Sequence, residues 1–205
     1  MTATVQASRT FPGIAFKMPN GGMTDEQFYQ FCLLNPELRI ERTVDKYIIV
    51  MPPTNSDTGR KNFDLNTEFG IWNKLAKLGQ GFDSSTGFKL PNGAERSPDL
   101  AWITNERWAA VSEKDRKRFA PVCPDFIVEI RSGDQNMTAL KEKMEEYIAN
   151  GCRLGWLIDP QLRETHVYFE NGDVRTMPFD ELLNGGEVLP GFAIRMSDIW
   201  SDTGL

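Results

Sequence analysis

The sequence is poor in the side chains that build zinc sites and hydrolase catalytic triads. It has one histidine, His166, and its cysteines Cys32, Cys123 and Cys152 are too widely spaced for a zinc motif. The lone histidine argues against a serine or cysteine triad. The odd cysteine count gives no disulfide framework, so a reducing, cytoplasmic setting is the simplest interpretation. A metal bound here would have oxygen ligands, which favours Mg²⁺ or Mn²⁺ over Zn²⁺.

Long apolar runs and an excess of positive charge are also missing. No stretch approaches the roughly 20 apolar residues that span a bilayer, so no membrane association is predicted. Residues 1–20 have no continuous apolar core, and no secretory signal is expected. Lys and Arg number 23 against 29 Asp and Glu, a net charge of −6. This balance argues against strong nonspecific nucleic-acid binding, but it leaves room for a nuclease with locally placed basic groups.

The length and composition are those of one globular domain. The chain has 205 residues, of which 40% are apolar and 25% charged. Residues 1–22 are polar and rich in turn formers, which predicts a flexible N-terminal arm before a single domain over residues 23–205. Thr24 and Gln27 have capping-box spacing and predict the start of a helix. Other patterns predict hairpins at 39–51 and 165–177, a helix at 59–78 that Gly79 ends, a helix at 108–119, and a strand at 192–196.

The most informative stretch, residues 124–160, reads as a strand, a loop, a helix and a second strand. Glu129 stands inside the apolar first strand, where a carboxylate is costly unless it is paired. Alternation places Asp125 and Arg131 on the same face as Glu129. Asp125 is roughly 13 Å away along the strand, whereas Arg131 is roughly 6.6 Å away and can reach the same site. A second carboxylate must come from another strand, and Asp99, which opens an apolar run, is the best candidate.

The helix after Glu129 offers a cation from either margin of its apolar face. Leu140, Met144 and Tyr147 recur at helical spacing, and Lys141 and Lys143 lie on opposite edges of their stripe. Periodicity alone does not choose between these lysines. Two carboxylates on adjacent strands can hold a divalent cation, and a lysine beside them can orient an attacking water. Glu129 could equally be a structural acid that is paired with a nearby cation.

Several segments, in this order and spacing, resemble one protein family. They are RIERTVDKYIIVMPPT, GFDSSTGFKLPNGAERSPDLAWI, PDFIVEIRS, KMEEYIANGCRLGWLIDP and VLPGFAI. The chain resembles the PD-(D/E)XK nucleases and, more narrowly, the Uma2 family of "putative restriction endonucleases" that is abundant in cyanobacteria. The resemblance runs from about residue 36 to residue 200. It implies an α/β (α+β) fold with a restriction-endonuclease-like core. A mixed central sheet would be flanked by helices, with an extra N-terminal helix and hairpin and a C-terminal hairpin.

The resemblance also implies roles for particular residues. Asp99 and Glu129 match the two acids that would hold Mg²⁺ or Mn²⁺. The superfamily's usual lysine position is occupied by Arg131, a departure, and Arg131 would steady the phosphate. Lys143 matches a lysine that Uma2 members carry on the next helix, where it would orient water. Glu41 matches an acid near the start of the family's hairpin, close to the metal.

These expectations converge on a metal-dependent endonuclease that hydrolyses phosphodiester bonds, with DNA as the substrate. The alternative is a non-catalytic module on the same fold that binds nucleic acid or protein. A metal requirement separates the two hypotheses, because a binding module would not need the cation. The sequence leaves open whether the chain forms a homodimer.

Overall fold

A computed structural model describes residues 11, 13–19, 21–133 and 135–201, in which strands and helices alternate along the chain. The strands β1 to β13 are, in order, Ile14–Lys17, Arg39–Arg42, Tyr47–Met51, Gly79–Asp83, Phe88–Lys89, Glu95–Arg96, Leu100–Thr104, Phe126–Ile130, Leu154–Asp159, Glu164–Phe169, Val174–Pro178, Leu182–Asn184 and Ala193–Arg195. The helices α1 to α6 are Asp25–Leu34, Ser56–Ala76, Asn105–Ala110, Glu113–Arg116, Met137–Ala149 and Met196–Ile199.

A mixed six-stranded sheet forms the centre of the molecule. Its strand order is β11-β10-β9-β8-β7-β4, with β8 and β9 parallel and the other neighbours antiparallel. Parallel neighbours need a crossover, and here α5 connects β8 to β9 and packs on the sheet. The helix lies over β9 and β10, and its side chains reach the neighbouring strand β8, which carries Glu129.

The two faces of β8 are covered by different helices, as the predicted alternation requires. Phe126 and Val128 pack with Leu65 and Phe69 of α2 on one side. On the other side Ile127 packs with apolar residues of α5, namely Leu140, Met144 and Tyr147. Glu129 follows Ile127 by two residues, so it lies on the α5 face.

The N-terminal hairpin is part of a second sheet, which corrects the prediction of a single central sheet with an appended hairpin. Strands β2 and β3 stand within the five-stranded order β1-β3-β2-β6-β5, and β12 pairs with β13 in a third sheet. The hairpin is extended because Arg42 of β2 pairs with Glu95 of the short strand β6. Residues 14–17, which the sequence analysis assigned to the flexible arm, form the edge strand β1 and pair with β3; residues 1–10 lie outside the described range.

Two helix predictions are corrected by local capping. The segment 108–119 was predicted as one helix, but Val111 is extended and Ser112 accepts from Asp115 N to begin a separate helix, α4. Helix α2 begins earlier than predicted, because the Asn55 side chain accepts from Thr58 N. It ends at Ala76, with Lys77 in the left-handed region, and not at Gly79.

Two further predictions, the start of α1 and the C-terminal hairpin, are confirmed. Thr24 and Gln27 form the complete capping box of α1. The C-terminal hairpin pairs β10 with β11 around the turn at Asn171 and Gly172. Across the described ranges, no helix is both long enough and apolar enough to cross a membrane.

Candidate active site

Asp99 and Glu129 meet where β7 and β8 lie side by side. Asp99 directly precedes β7, whose Leu100 pairs with Val128 of β8. The backbone of Asp99 donates to Val128 O at 3.0 Å, and its Oδ2 accepts from Ile130 N at 2.8 Å. The carboxylate is thereby anchored beside the end of β8. The structure thus brings together the two acids that the sequence analysis placed on adjacent strands.

Lys143 of α5, and not Lys141, reaches Glu129, and it also reaches Glu41 of β2. Its Nζ lies 2.7 Å from Glu129 Oε1 and 2.8 Å from Glu41 Oε1. Lys141 lies on the other margin of α5, near His166, and burial and the Lys141 charge lower the pKa of that imidazole. Burial alone would lower the pKa of Lys143, but the carboxylates of Glu129 and Glu41 raise it above its usual value. Lys143 is therefore a cation at neutral pH.

Glu41 is the strongly ionised member of the pair of glutamates around Lys143. It is fully buried in β2 and accepts from Ser97 N at 3.0 Å and from Arg96 Nη1 at 3.1 Å, besides its ion pair with Lys143. Burial would raise the pKa of Glu41, but the Lys143 and Arg96 cations outweigh it and lower the value to about 2. Three donors thus hold Glu41 as a carboxylate.

Glu129 is the weaker acid because fewer groups stabilise its charge. Burial raises the pKa of Glu129 to about 7; the Lys143 cation opposes this effect, and the Asp99 and Glu41 carboxylates add to it. Its Oε1 also accepts from Tyr147 OH at 3.1 Å. Burial raises the pKa of Tyr147 well above its usual value, so the phenol remains a donor. A carboxyl group perturbed in this way in a cleft is typical of functional sites, although structural ion pairs also produce such shifts.

Three further residues complete the network and were missed from the sequence. Arg96 donates from Nε to Glu146 Oε2 at 2.6 Å and so connects Glu41 to α5. Arg39 donates from Nη1 to Asp99 Oδ1 at 3.0 Å. Strand alternation could have indicated Arg39, which stands two residues before Glu41 on the same face. Arg96 and Glu146 are separated by 50 residues in sequence, and no local pattern joins them.

Arg131 lies in a different set of contacts. Its Nη1 donates to Asp159 Oδ2 at 2.8 Å, and its Nε donates to Gln135 O at 3.2 Å. Asp159 is fully buried at the end of β9, so Arg131 neutralises an acid on the neighbouring strand. The guanidinium is thus directed toward Asp159. Among the described contacts, none joins Arg131 to Glu129, so its predicted role in steadying the phosphate stays a prediction.

Asp99 and Glu129 both line one open cleft of about 380 Å³. Besides Arg39, which also borders it, much of its wall consists of neutral polar side chains, including those of Thr54, Thr58, Asn62, Ser132 and Gln135. The cleft lies between the hairpin of the second sheet and the end of β8. A polar substrate could therefore approach both carboxylates from solvent.

The donor set fits a hydrated Mg²⁺ or Mn²⁺. Glu129 Oε2 accepts no hydrogen bond from any described residue, whereas Oε1 is engaged by Lys143 and Tyr147. The described ranges contain no group of three or more acidic, histidine or cysteine residues arranged to hold a metal. Mg²⁺ is commonly bound by one or two carboxylates, with water and substrate phosphate completing its shell. Asp99 and Glu129 meet that requirement, and they do not form a cage of protein ligands.

Comparison with known proteins identifies a family and a similar fold. The family model Uma2, described as "Putative restriction endonuclease", matches residues 25–197, a range that includes Glu41, Asp99, Glu129 and Lys143. No curated protein matches the chain. The fold is similar to the crystal structure of a "putative nuclease belonging to DUF820" from Anabaena variabilis, with a TM-score of 0.71 and 20% identity over 87% of this chain and 98% of that one. At this identity the likeness concerns the fold alone.

Proposed function

The chain belongs to the Uma2 family, and we propose that it is a metal-dependent endonuclease that hydrolyses phosphodiester bonds, with DNA as its substrate. The observation that carries the proposal is the position of Asp99 and Glu129 on one open cleft beside the buried Lys143. Two carboxylates at a solvent-accessible cleft, one of them paired with a lysine behind it, are groups that metal-assisted phosphodiester hydrolysis can use.

Each of these residues has a distinct task in the proposal. Asp99 and Glu129 would hold Mg²⁺ or Mn²⁺, which when bound offsets charge on the phosphate and lowers the pKa of water. Lys143 keeps its proton, because its pKa is raised, so it donates a hydrogen bond and does not act as a base. It fixes the orientation of Glu129 and adds positive charge where negative charge develops in the transition state. Glu41 holds Lys143 in place.

A second candidate function, a non-catalytic module that binds nucleic acid or protein, is favoured by one observation. Lys143 is already engaged by Glu41 and Glu129 and is almost inaccessible to solvent. A closed ion network of this kind can serve as structure alone. The two functions differ in their need for a cation. A binding module would retain its ligand in EDTA.

Cleavage of DNA tests the proposal directly. Supercoiled plasmid and short single- and double-stranded DNA would be incubated with Mg²⁺, Mn²⁺ or EDTA. The variants would be Asp99→Asn and Glu129→Gln, which keep the side-chain shape, and the control would be Glu68→Gln, which changes an exposed acid of α2. Folding of each variant would be checked by circular dichroism. Lys143→Ala would be included as the variant that removes the cation.

We expect metal-dependent cleavage by the wild type and by Glu68→Gln, and loss of cleavage in both carboxylate variants. Cleavage by folded Asp99→Asn at the wild-type rate would show that the site is misplaced. Absence of cleavage by the wild type with every DNA and both metals would reject DNA hydrolysis. Binding of DNA in EDTA without cleavage would favour the binding module.

A further inference from the structure

The positively charged side chain that the proposed chemistry uses, Lys143, is not the one that faces the cleft. The Lys143 side chain is 3% exposed, whereas the Arg39 side chain is 31% exposed. Among the described residues that line the cleft, Arg39 is the only one with a positive charge. A phosphate that enters the cleft therefore meets Arg39 before it can meet Lys143.

The hydrogen bonding of Arg39 is incomplete. Nη1 pairs with a single oxygen of Asp99 at 3.0 Å, and Nη2 donates to Ser97 O at 2.6 Å. Nε is buried and finds no acceptor in the described part of the chain. Arg39 therefore holds one oxygen of Asp99 through Nη1 alone, and not through the two-donor fork with which arginine often binds a carboxylate.

Arg42, on the same strand, provides a comparison, because its contacts are those of an arginine with a structural role. Its Nε and Nη2 bind both oxygens of Glu95 at 2.6 and 2.5 Å, and its Nη1 donates to Met23 O at 2.6 Å. The Arg42 side chain is fully buried. Arg42 is thus saturated and enclosed, whereas Arg39 is partly exposed and meets Asp99 through a single oxygen.

Resting on the proposed function, we propose that Arg39 is the residue that binds the substrate phosphate, and that it exchanges Asp99 for a phosphate oxygen when a divalent cation occupies the carboxylates. The cation places two positive charges beside Asp99, which weakens the pairing of that carboxylate with the guanidinium. Nη1 is then free to donate a charge-assisted hydrogen bond to a phosphate oxygen, while Nη2 stays on Ser97 O. No covalent step is involved, and Arg39 touches the substrate directly.

The rival explanation is that Arg39 only holds Asp99 in position for the cation. The two explanations predict opposite effects on metal affinity. If Arg39 competes with the cation for Asp99, its removal leaves Mn²⁺ affinity unchanged or increased. If Arg39 positions Asp99, its removal weakens Mn²⁺ binding and phosphate binding together.

The experiment compares Arg39→Gln and Arg39→Lys with the matched control Arg153→Gln. Arg153 has a similar side-chain exposure, 37%, and a single ion pair with Glu170. It precedes β9 at the end of the sheet opposite to Glu129, because Leu154 pairs with Phe126. Mn²⁺ binding would be measured by titration calorimetry. Binding of a short fluorescent DNA duplex would be measured by anisotropy with Ca²⁺, alongside the plasmid cleavage assay.

We expect Arg39→Gln to weaken duplex binding by about tenfold or more, the effect of losing one charged contact, without weakening Mn²⁺ binding. Arg39→Lys should recover only part of the loss, because an ammonium lacks the planar guanidinium that lets Arg39 hold Ser97 O with one nitrogen and a phosphate oxygen with another. Loss of Mn²⁺ and duplex binding together, or duplex binding equal to that of Arg153→Gln, would overturn the role of Arg39. Duplex binding by the wild type without cleavage of any DNA would overturn only the proposed function, and no duplex binding by the wild type would overturn the role of Arg39.

Discussion

Lys143 neutralises the two buried glutamates that surround it. Glu41 and Glu129 are both almost inaccessible to solvent, and each forms an ion pair with the same ammonium group. Two buried carboxylates without a cation between them would repel each other and would lose hydration without compensation. The lysine therefore has a structural effect that must be separated from any catalytic one.

Replacement of Lys143 by methionine is expected to destabilise the fold by about 3–5 kcal/mol, because it leaves buried charge uncompensated. Urea denaturation at pH 7 would measure the change. The combined variant Glu41→Gln/Glu129→Gln/Lys143→Met should recover much of the loss, since it removes the charges together. If the free energy of unfolding of Lys143→Met is within about 1 kcal/mol of the wild-type value, the ion pairs of Lys143 do not stabilise the fold as proposed.

Glu41 should make the stability depend on pH in a defined direction. Its pKa is about 2 in the folded protein and ordinarily 4.5, so the unfolded chain binds the proton more tightly. The stabilisation is therefore present above pH 4.5 and is lost as the pH falls toward 2. The free energy of unfolding should exceed that of Glu41→Gln by several kcal/mol at pH 6, on the order of a broken buried pair, and the difference should shrink in acid.

Urea titrations of both proteins at a series of pH values would measure this difference. The control is Glu142→Gln, which changes an exposed acid on α5. A difference between the wild type and Glu41→Gln that stays constant from pH 6 to pH 3 would contradict the depressed pKa of Glu41.

The sequence predicted those features of the strands and helices around the site that depend on neighbouring residues in the chain. Alternation correctly placed Glu129 on the opposite face of β8 from Phe126 and Val128, because strand periodicity depends only on neighbouring residues. The choice between Lys141 and Lys143 needed either the family resemblance or the structure, since both flank the same apolar stripe. Arg96 could not be assigned, because its partners Glu41 and Glu146 come from other elements.

Glycine roles also depend on three-dimensional neighbours. Gly79 was predicted to end the long helix, yet a Cβ there would lie 2.3 Å from Ile103 O and 2.5 Å from the Trp102 ring. It is a close-packing position in β4, and Lys77 ends α2 instead. Gly70, by contrast, lies inside α2, where a Cβ would meet nothing within 4 Å.

Alanine substitutions at these glycines should have opposite effects. Gly70→Ala is expected to stabilise the protein by about 0.5–1 kcal/mol, because it removes backbone entropy from the unfolded chain without a clash. Gly79→Ala is expected to destabilise it by roughly 1–3 kcal/mol or more, because β4 must shift away from the backbone of β7. Urea denaturation compares the two variants with the wild type. Stabilisation by Gly79→Ala would contradict this packing.

The whole molecule places its site where two sheets meet. Arg39 and Glu41 belong to β2 of the five-stranded sheet, and Glu129 belongs to β8 of the six-stranded sheet. Asp99 stands in the short connection between β6 and β7, which passes from one sheet to the other. Contacts among these residues therefore bind the two halves of the fold together, and a ligand at the carboxylates acts on global stability as well as on chemistry.

Mn²⁺ should accordingly raise the melting temperature. A ligand at 100 times its dissociation constant adds about 2.7 kcal/mol to the free energy of unfolding. For a chain of this length that corresponds to roughly 5–10 °C. Differential scanning fluorimetry across a Mn²⁺ series would record the shift, with EDTA as the reference and Glu68→Gln as the folded control.

Asp99→Asn and Glu129→Gln should melt cooperatively but no longer respond to Mn²⁺, since each removes a charged ligand. The glutamine is tolerated because it keeps the shape of Glu129, and because burial raises the pKa of that carboxyl, so the charge is less strongly stabilised there than at Glu41. A shift of the same size in Asp99→Asn would mean that the cation binds elsewhere on the protein.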